Sequence, residues 1–281
     1  MITTEFEFFA PESLDEVLAL LGSGEEDVKV LSGGMSLVPM MRLGLVHPQK
    51  IVSLNRVQGM DLIEIRDDAL FIGATARHAR IATHGEIAAR VPVLSVAASA
   101  IGDVQIRHRG TIGGSLAHAD PAADYPTAMT ALGARFHIRS ANAQRTLTAE
   151  AFFVDVMTTA LAPEELLVGI EIPLPPAGSG YAHERLRRVE GAYPIVLATA
   201  LIQPDRSSAR LALGGVAGCP CLLELESTHL DGGDTALASI AQRAREAASG
   251  ALADLNGSAE YRQAMAGVYA RRAVSAALGR L

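Results

Sequence analysis

The chain carries, from residue 107 onward, the stretch Arg107-His-Arg-Gly-Thr-Ile-Gly-Gly-Ser-Leu-Ala-His-Ala-Asp-Pro-Ala-Ala-Asp124, in which hydroxyl residues flank a Gly-Gly pair. A similar pair occurs earlier, in Ser32-Gly-Gly-Met-Ser36. Glycine permits positive φ and a close approach of the backbone to a ligand, so that successive N–H groups can point at phosphate oxygens. Serine and threonine add hydroxyl donors. Together the two segments predict a diphosphate site built from neutral donors.

Each segment also has a plainer interpretation, because a single Gly-Gly pair is more often only a turn. Neither segment matches Gly-x-Gly-x-x-Gly or Gly-x-x-x-x-Gly-Lys-Ser/Thr, so both common nucleotide-binding motifs are absent. Beyond the second segment, Asp120 is predicted to cap a helix that has Pro121 in its first position. Asp124, one turn further on, is predicted to accept a hydrogen bond from a ribose or adenine group.

Hydrophobic periodicity and turn residues predict mixed helices and strands before residue 173. Ser13-x-x-Glu16 resembles a capping box at the start of a first helix. The predicted helices span residues 13–21, 78–90, 92–101 and 122–132, with a short helix after Ser36 that His47-Pro48 ends. The predicted strands span 28–31, 51–54, 135–139 and 166–172, with a hairpin of 62–65 and 70–72 around Asp67-Asp68.

A run of proline and glycine from Pro173 to Gly180 marks the best domain boundary, because it cannot sustain a helix or a central strand. We therefore predict a first domain over residues 1–176 and a smaller α+β domain over 177–281. The second domain is predicted to contain strands at 195–202 and 209–216 and helices at 235–248 and 258–278. The predicted fold class of the whole chain is α+β.

Composition excludes several classes of protein. The 281 residues carry a formal net charge of −7, which does not indicate a nucleic-acid-binding protein. Glu5 and Glu7 stand where a signal peptide needs a basic segment and an apolar run, and no stretch is long and apolar enough for a membrane span. Cys219 and Cys221 cannot supply the four thiolates of an iron–sulfur cluster, and the scattered histidines predict no metal site.

The stretch from Arg107 to Asp124 closely resembles the second FAD segment of the carbon monoxide dehydrogenase medium-subunit family. Ser32-Gly-Gly-Met-Ser-Leu37 resembles its first FAD segment. Further similarity covers essentially the whole chain, at Phe8 to Leu21, Ile72-Gly-Ala-Thr-Ala-Arg-His78, Glu164 to Pro173 and Glu260-Tyr261-Arg262.

This resemblance implies a two-part FAD-binding domain of the vanillyl-alcohol-oxidase (PCMH) type, with subdomains at about 1–56 and 57–176, followed by the smaller C-terminal domain. It also implies that the chain is a subunit of an oxidoreductase and that none of its residues acts catalytically on the substrate. A large subunit with a molybdenum cofactor hydroxylates carbon monoxide, an aldehyde or an N-heterocycle. A small subunit with [2Fe–2S] clusters passes electrons to FAD here, and FAD reduces quinone, NAD or oxygen.

The resemblance further implies a dimer of heterotrimers. It places this assembly in the cytoplasm, with a peripheral association with the inner face of the membrane. It places the FAD diphosphate at residues 32–36 and 111–115, Asp124 at the ribose or adenine, and Leu167 at the adenine or ring system. It places Arg185 and Tyr193 near the isoalloxazine. The implied cofactor contacts are Ser32, Gly33, Gly34, Met35, Ser36, Leu37, Thr75, Thr111, Ile112, Gly113, Gly114, Ser115, Ala117, Asp124, Leu167, Arg185 and Tyr193.

The sequence departs from the family pattern at several positions. Met35 replaces a histidine common in the first segment, and Ala192 replaces an acid often found before the tyrosine. Arg185 stands where relatives often have lysine, and it would be a fixed positive charge favouring anionic reduced flavin.

Two other functions remain open from the sequence. The chain could be a stand-alone flavin oxidase of the same fold, which needs a substrate pocket under a cap domain. The segment after residue 176 is small for such a cap. It could also be a non-catalytic nucleotide-binding scaffold, in which any bound nucleotide would be colourless.

Overall fold

The computed structural model describes residues 5–24 and 27–281. The first four residues of the predicted N-terminal domain, and residues 25 and 26, lie outside this part of the chain. The helices are α1 (Leu14–Leu21), α2 (Leu37–Arg42), α3 (His78–Thr83), α4 (Gly85–Arg90), α5 (Pro92–Ala100), α6 (Val104–Arg109), α7 (Ile112–His118), α8 (Asp124–Leu132), α9 (Ala149–Phe152), α10 (Asp234–Ala247) and α11 (Ala259–Leu278). The strands are β1 (Glu7–Phe9), β2 (Val28–Leu31), β3 (Lys50–Ser53), β4 (Ile63–Arg66), β5 (Ala69–Gly73), β6 (Arg135–Arg139), β7 (Gln144–Thr148), β8 (Phe153–Asp155), β9 (Thr158–Thr159), β10 (Leu166–Pro173), β11 (Gly180–Leu186), β12 (Val196–Ile202), β13 (Ser208–Gly214) and β14 (Cys221–Glu226).

The N-terminal part is a parallel sheet in the order β1-β3-β2, with α1 and α2 in its crossovers. Ser13 caps α1 as predicted, because its hydroxyl accepts a hydrogen bond from the Glu16 amide at 3.3 Å. The predicted order of strand, glycine segment, helix and strand over residues 28–54 is confirmed. However, α2 ends at Arg42 rather than at His47-Pro48, since Gly44 adopts a left-handed conformation with φ of 70°.

A five-stranded antiparallel sheet follows, in the order β4-β5-β10-β6-β7. The predicted hairpin is confirmed, with Asp67 at φ of 49° in the turn between β4 and β5. The predicted helix over residues 78–90 is instead two helices, α3 and α4. Extended backbone at His84 separates them, and Gly85 lowers the helical propensity at the same point.

The C-terminal part is an antiparallel sheet, β11-β12-β13-β14, packed on α11, which in turn packs against α10. The two predicted strands and both predicted helices are confirmed, whereas β11 and β14 were not predicted. A second hydrophobic core lies between this sheet and its helices. None of the described helices is long and apolar enough to cross a membrane.

Helix α8 lies between the two larger sheets, and all of its residues are buried. At its C-terminus, Arg210 of β13 donates hydrogen bonds to the Thr130 and Ala131 carbonyl oxygens at 3.0 and 3.2 Å. These bonds satisfy carbonyls that a helix end leaves without partners. Arg210 therefore ties the end of α8 to the C-terminal sheet.

The prediction that Asp120 caps α8 is wrong. Ala123 occupies the cap position, and the Asp120 carboxylate instead accepts from the Ala122 amide at 2.8 Å, which closes a tight turn. The second glycine segment is not the turn that a Gly-Gly pair most often indicates. In the structure Gly113 and Gly114 form the first turn of α7, for reasons given below.

Candidate cofactor site

A cavity of ≈ 560 Å³ lies where the two glycine segments meet. This volume is within the roughly 300–1,000 Å³ of small-molecule sites. The hydroxyl oxygens of Ser32 and Thr111 are 3.0 Å apart and share a hydrogen bond across the two segments. A Cβ on Gly33 would lie 2.8 Å from the Gly110 Cα, so glycine is required for this close approach. The structure thus brings together segments that are far apart in sequence.

The first glycine segment presents backbone donors to the cavity. Gly34 has φ of 76°, in the left-handed region that favours glycine. Within the described part of the chain, the amides of residues 33–36 donate to no protein acceptor. Ser36 stands at the N-cap of α2, yet its side chain makes no capping hydrogen bond. Because Gly33 is buried, its amide needs an acceptor from outside the chain.

The amides of the second glycine segment, in contrast, are paired within the protein. The Ile112 and Gly113 amides donate to the Ala76 and Ala74 carbonyl oxygens at 3.0 and 2.8 Å. The Gly114 amide donates to the Thr111 hydroxyl at 3.2 Å, which caps α7. These amides are already used, so this segment contributes chiefly hydroxyl groups and a close-packed wall.

A buried ionic cluster lies at another part of the cavity wall. The Asp124 carboxylate is 2.8 Å from Arg185 Nε and accepts from its Nη2 at 3.3 Å. The Nε contact is charge pairing alone, since its N–H is not aligned for a hydrogen bond. Arg185 Nη1 also donates to the Ala100 carbonyl oxygen, at 2.5 Å, at the end of α5. Burial lowers the pKa of the Arg185 guanidinium, and the Asp124 carboxylate opposes this shift.

His183 of β11 completes this cluster. Its Nε2 is 3.0 Å from an Asp124 oxygen, and its Nδ1 is 2.8 Å from the Thr199 hydroxyl. The His183 side chain is fully buried and does not line the cavity. Asp124 and Arg185 do line it, so the cluster connects the C-terminal sheet to the cavity wall.

His78 also lines the cavity, although it was not among the residues predicted to contact the cofactor. Its Nδ1 is buried without a hydrogen-bond partner, and its ring lies edge-on to Tyr125 at a centroid distance of 5.2 Å. Burial lowers the pKa of His78 to about 4, so the imidazole is neutral near pH 7. A neutral, unpaired ring nitrogen at a cavity wall fits a polar ligand atom.

Most of the residues implied by the resemblance line the cavity: Ser32, Gly33, Gly34, Met35, Ser36, Leu37, Thr111, Gly113, Gly114, Ser115, Ala117, Asp124, Leu167, Arg185 and Tyr193. The cavity wall does not include Thr75 or Ile112. Ile112 is fully buried, because its place in α7 turns its side chain into the core. The Thr75 amide donates to the Met60 carbonyl oxygen at 2.9 Å.

Several lining residues were not predicted from the sequence, including Ile101, Gly102, Ile106, Glu165 and Leu166. Two stretches similar to the family offered a signal, since residues 72–78 end at His78 and residues 164–173 include Glu165 and Leu166. Ile101, Gly102 and Ile106 come from the junction of α5 and α6, and their relation to the glycine segments is visible only in three dimensions.

Comparison with known proteins agrees with this geometry. Residues 4–175 match the family of the FAD binding domain in molybdopterin dehydrogenase. Residues 181–277 match the CO dehydrogenase flavoprotein C-terminal domain. The chain is a medium FAD subunit of the carbon monoxide dehydrogenase and molybdenum hydroxylase family. It is accordingly an oxidoreductase subunit, and its fold is a two-part FAD-binding domain followed by a C-terminal flavoprotein domain.

Two relatives resemble this medium subunit over nearly their full length. The carbon monoxide dehydrogenase medium chain of Hydrogenophaga pseudoflava is 35% identical, over 100% of this chain and 99% of the relative. The 6-hydroxypseudooxynicotine dehydrogenase complex subunit alpha of Paenarthrobacter nicotinovorans is 36% identical, over 98% and 95%. A solved structure, reconstituted CO dehydrogenase from Oligotropha carboxidovorans, superposes with a TM-score of 0.94 at 33% identity, covering 100% of both chains.

The residues of this medium subunit fit FAD. The unpaired amides of residues 33–36 and the Ser36 hydroxyl match the needs of a diphosphate. Apolar side chains, among them Leu37, Met40 and Leu167, line other parts of the same cavity. The cavity therefore combines neutral phosphate donors with apolar surface for aromatic rings.

Proposed function

We propose that this medium subunit holds FAD in the cavity between its two glycine segments and acts as an electron relay. A small subunit with [2Fe–2S] clusters supplies electrons, and an external acceptor, either quinone, NAD or oxygen, removes them. A large molybdenum subunit hydroxylates the substrate. The assembly is a dimer of heterotrimers in the cytoplasm. The observation that carries the proposal is the run of unpaired amides at residues 33–36 on a cavity wall.

Each part of the cavity has a distinct task in this proposal. The first glycine segment binds the diphosphate through backbone donors. The second segment positions it, because the hydrogen bond between Ser32 and Thr111 fixes the separation of the two segments. His78 accepts a hydrogen bond from the cofactor at Nδ1, and Arg185 places a paired positive charge at the wall. Bound FAD supplies reversible transfer of one or two electrons.

The described side chains supply no group that must act on the hydroxylated substrate. The relatives are named for different reactions, since one is a carbon monoxide dehydrogenase chain and another belongs to a 6-hydroxypseudooxynicotine dehydrogenase complex. We therefore place the choice among carbon monoxide, an aldehyde and an N-heterocycle in the large subunit.

We also place the boundary between the FAD-binding domain and the C-terminal domain at residues 176 and 177.

The test is an absorption spectrum, first of the native complex with metal analysis and then of the full chain alone after addition of FAD. We expect flavin bands in both samples, with molybdenum and iron only in the complex. A folded chain that takes up no FAD would overturn the cofactor assignment. A colourless bound nucleotide would instead indicate a scaffold, and unaided oxidation of a small alcohol by the lone chain would indicate a flavin oxidase.

A further inference from the structure

The cluster of Asp124, His183 and Arg185 is almost completely removed from water. The side chains of Asp124 and Arg185 are 5% and 9% exposed, and that of His183 is 0% exposed. Burying charges is costly unless they are paired and hydrogen-bonded, and here each charged group has several partners. The cluster joins the start of α8 to β11, and therefore links the wall of the FAD cavity to the C-terminal sheet.

Charge balance within the cluster follows from its hydrogen bonds. In the tautomer with the proton on Nε2, His183 donates to Asp124 and accepts at Nδ1 from the Thr199 hydroxyl. The carboxylate of Asp124 compensates the guanidinium of Arg185. Arg185, predicted from the sequence as a fixed positive charge, is thus paired with a carboxylate in the structure.

Hydrogen bonding and charge pairing together fix the direction of the Asp124 carboxylate. Its Oδ1 lies 3.0 Å from His183 Nε2 and 2.8 Å from Arg185 Nε, so the two side chains hold the same oxygen from different strand positions. Arg185 is held at its other end by the Ala100 carbonyl oxygen. Loss of the His183 donor would leave the carboxylate with Arg185 alone, and its negative charge would be less dispersed.

We propose that His183 is a positioning residue that, through Asp124, sets how much of the Arg185 charge reaches the cofactor. This inference rests on the proposed function. Reduction of the oxidised isoalloxazine adds two electrons and one proton, which dithionite and water supply in the test, and leaves one negative charge on the ring. Without the Asp124 carboxylate, the Arg185 guanidinium would favour this anion. With the carboxylate beside it, the guanidinium discriminates less between oxidised and reduced FAD. His183 and Thr199 thereby determine the preference of the cavity for reduced over oxidised FAD.

The experiment measures the affinity of the full chain for oxidised and for reduced FAD in matched variants. D124N removes the compensating charge, and we expect the ratio of reduced to oxidised affinity to rise about tenfold, equivalent to about 30 mV in a two-electron couple. H183L should shift the ratio in the opposite direction, and H183Q, whose amide can donate to Asp124, should return it toward the wild-type value. T199V should act as H183L does, with a smaller effect.

His229→Leu is the matched control, because this histidine contacts Arg243 outside the cavity and its loss should leave the ratio unchanged. Thermal unfolding of every variant separates the proposal from a purely structural role. Lower stability in H183L and D124N with an unchanged affinity ratio would overturn the inference. If H183L does not fold, T199V and H183Q decide the question. Wild-type chain that binds FAD in neither state would contradict the proposed function itself.

Discussion

The two glycine segments look alike in sequence, yet they differ in the structure. Among the described residues, the amides at 33–36 have no protein acceptor, while the amides at 112–115 are all bonded within the protein. Gly34 is needed for its left-handed backbone, whereas Gly113 is needed because a Cβ would lie 2.9 Å from the Ala74 Cα. The same residue pair therefore builds a ligand cradle in one place and a packed helix end in the other. The two segments share the motif, and their different surroundings in the fold give them different roles.

The largest expected effect comes from His78, whose backbone amide bonds to the residue just before the second segment. The His78 amide donates to the Gly110 carbonyl oxygen at 3.1 Å, and burial lowers the pKa of His78 from 6.5 to about 4. Between these values the unfolded chain binds the extra proton, so stability falls as the pH drops from 6.5 toward 4. We expect a loss of about 3 kcal/mol across this window.

The measurement is the free energy of unfolding of the chain without FAD as a function of pH. His78→Asn should remove this part of the pH dependence, while the exposed His108, changed to Asn, should leave it intact. An equal pH dependence in wild type and His78→Asn would show that His78 is not the buried titrating group.

The second prediction tests packing at the second segment. Gly113→Ala should destabilise the chain by about 2 kcal/mol, because the new methyl group meets the Ala74 backbone, which cannot move aside cheaply. Denaturant unfolding measures this loss. Full stability in Gly113→Ala would mean that α7 does not pack against residue 74 as closely as the structure shows.

The third prediction tests the first segment. Gly34→Ala should cost about 1 kcal/mol of stability, because alanine is strained at φ of 76°. It should also weaken FAD binding, since the unpaired amides depend on this conformation. Gly59 provides the matched control, with φ of 78° and nothing within 4 Å of its Cβ position.

Titration of each variant with FAD makes the comparison. Gly59→Ala should lose similar stability and keep the wild-type affinity for FAD. Equal weakening of binding in both variants would imply that stability, and not the cradle, controls uptake of the cofactor.

The smallest effect is expected at Gly114. Its Cβ would approach only the Thr111 hydroxyl, at 2.8 Å, and alanine is favoured over glycine in a helix by about 1 kcal/mol. The contact with the Thr111 hydroxyl destabilises Gly114→Ala, and the higher helix propensity of alanine stabilises it. The stability of this variant should therefore change by less than about 0.5 kcal/mol. A large loss of FAD affinity in this variant would indicate that the second segment binds the diphosphate as directly as the first.

Local signals in the sequence predicted those elements whose cause is local. The cap at Ser13, the hairpin turn at Asp67 and the long helix α11 depend on neighbouring residues, and the structure has all three. The break at His84 and the turn at Asp120 were missed. Each involves a choice between competing local conformations, and contacts with distant residues settle such choices.

The sequence by itself determined the family, the α+β architecture and many of the residues that line the cofactor cavity, because motifs and hydrophobic periodicity are written along the chain. Tertiary structure alone decided which amides are free, which glycine is packed, and that Asp124 pairs with Arg185 and His183. These properties depend on groups from separate sheets and helices that meet only after folding. Hydrogen bonding, packing and the loss of solvent around charges act between those groups, and a linear pattern does not specify them.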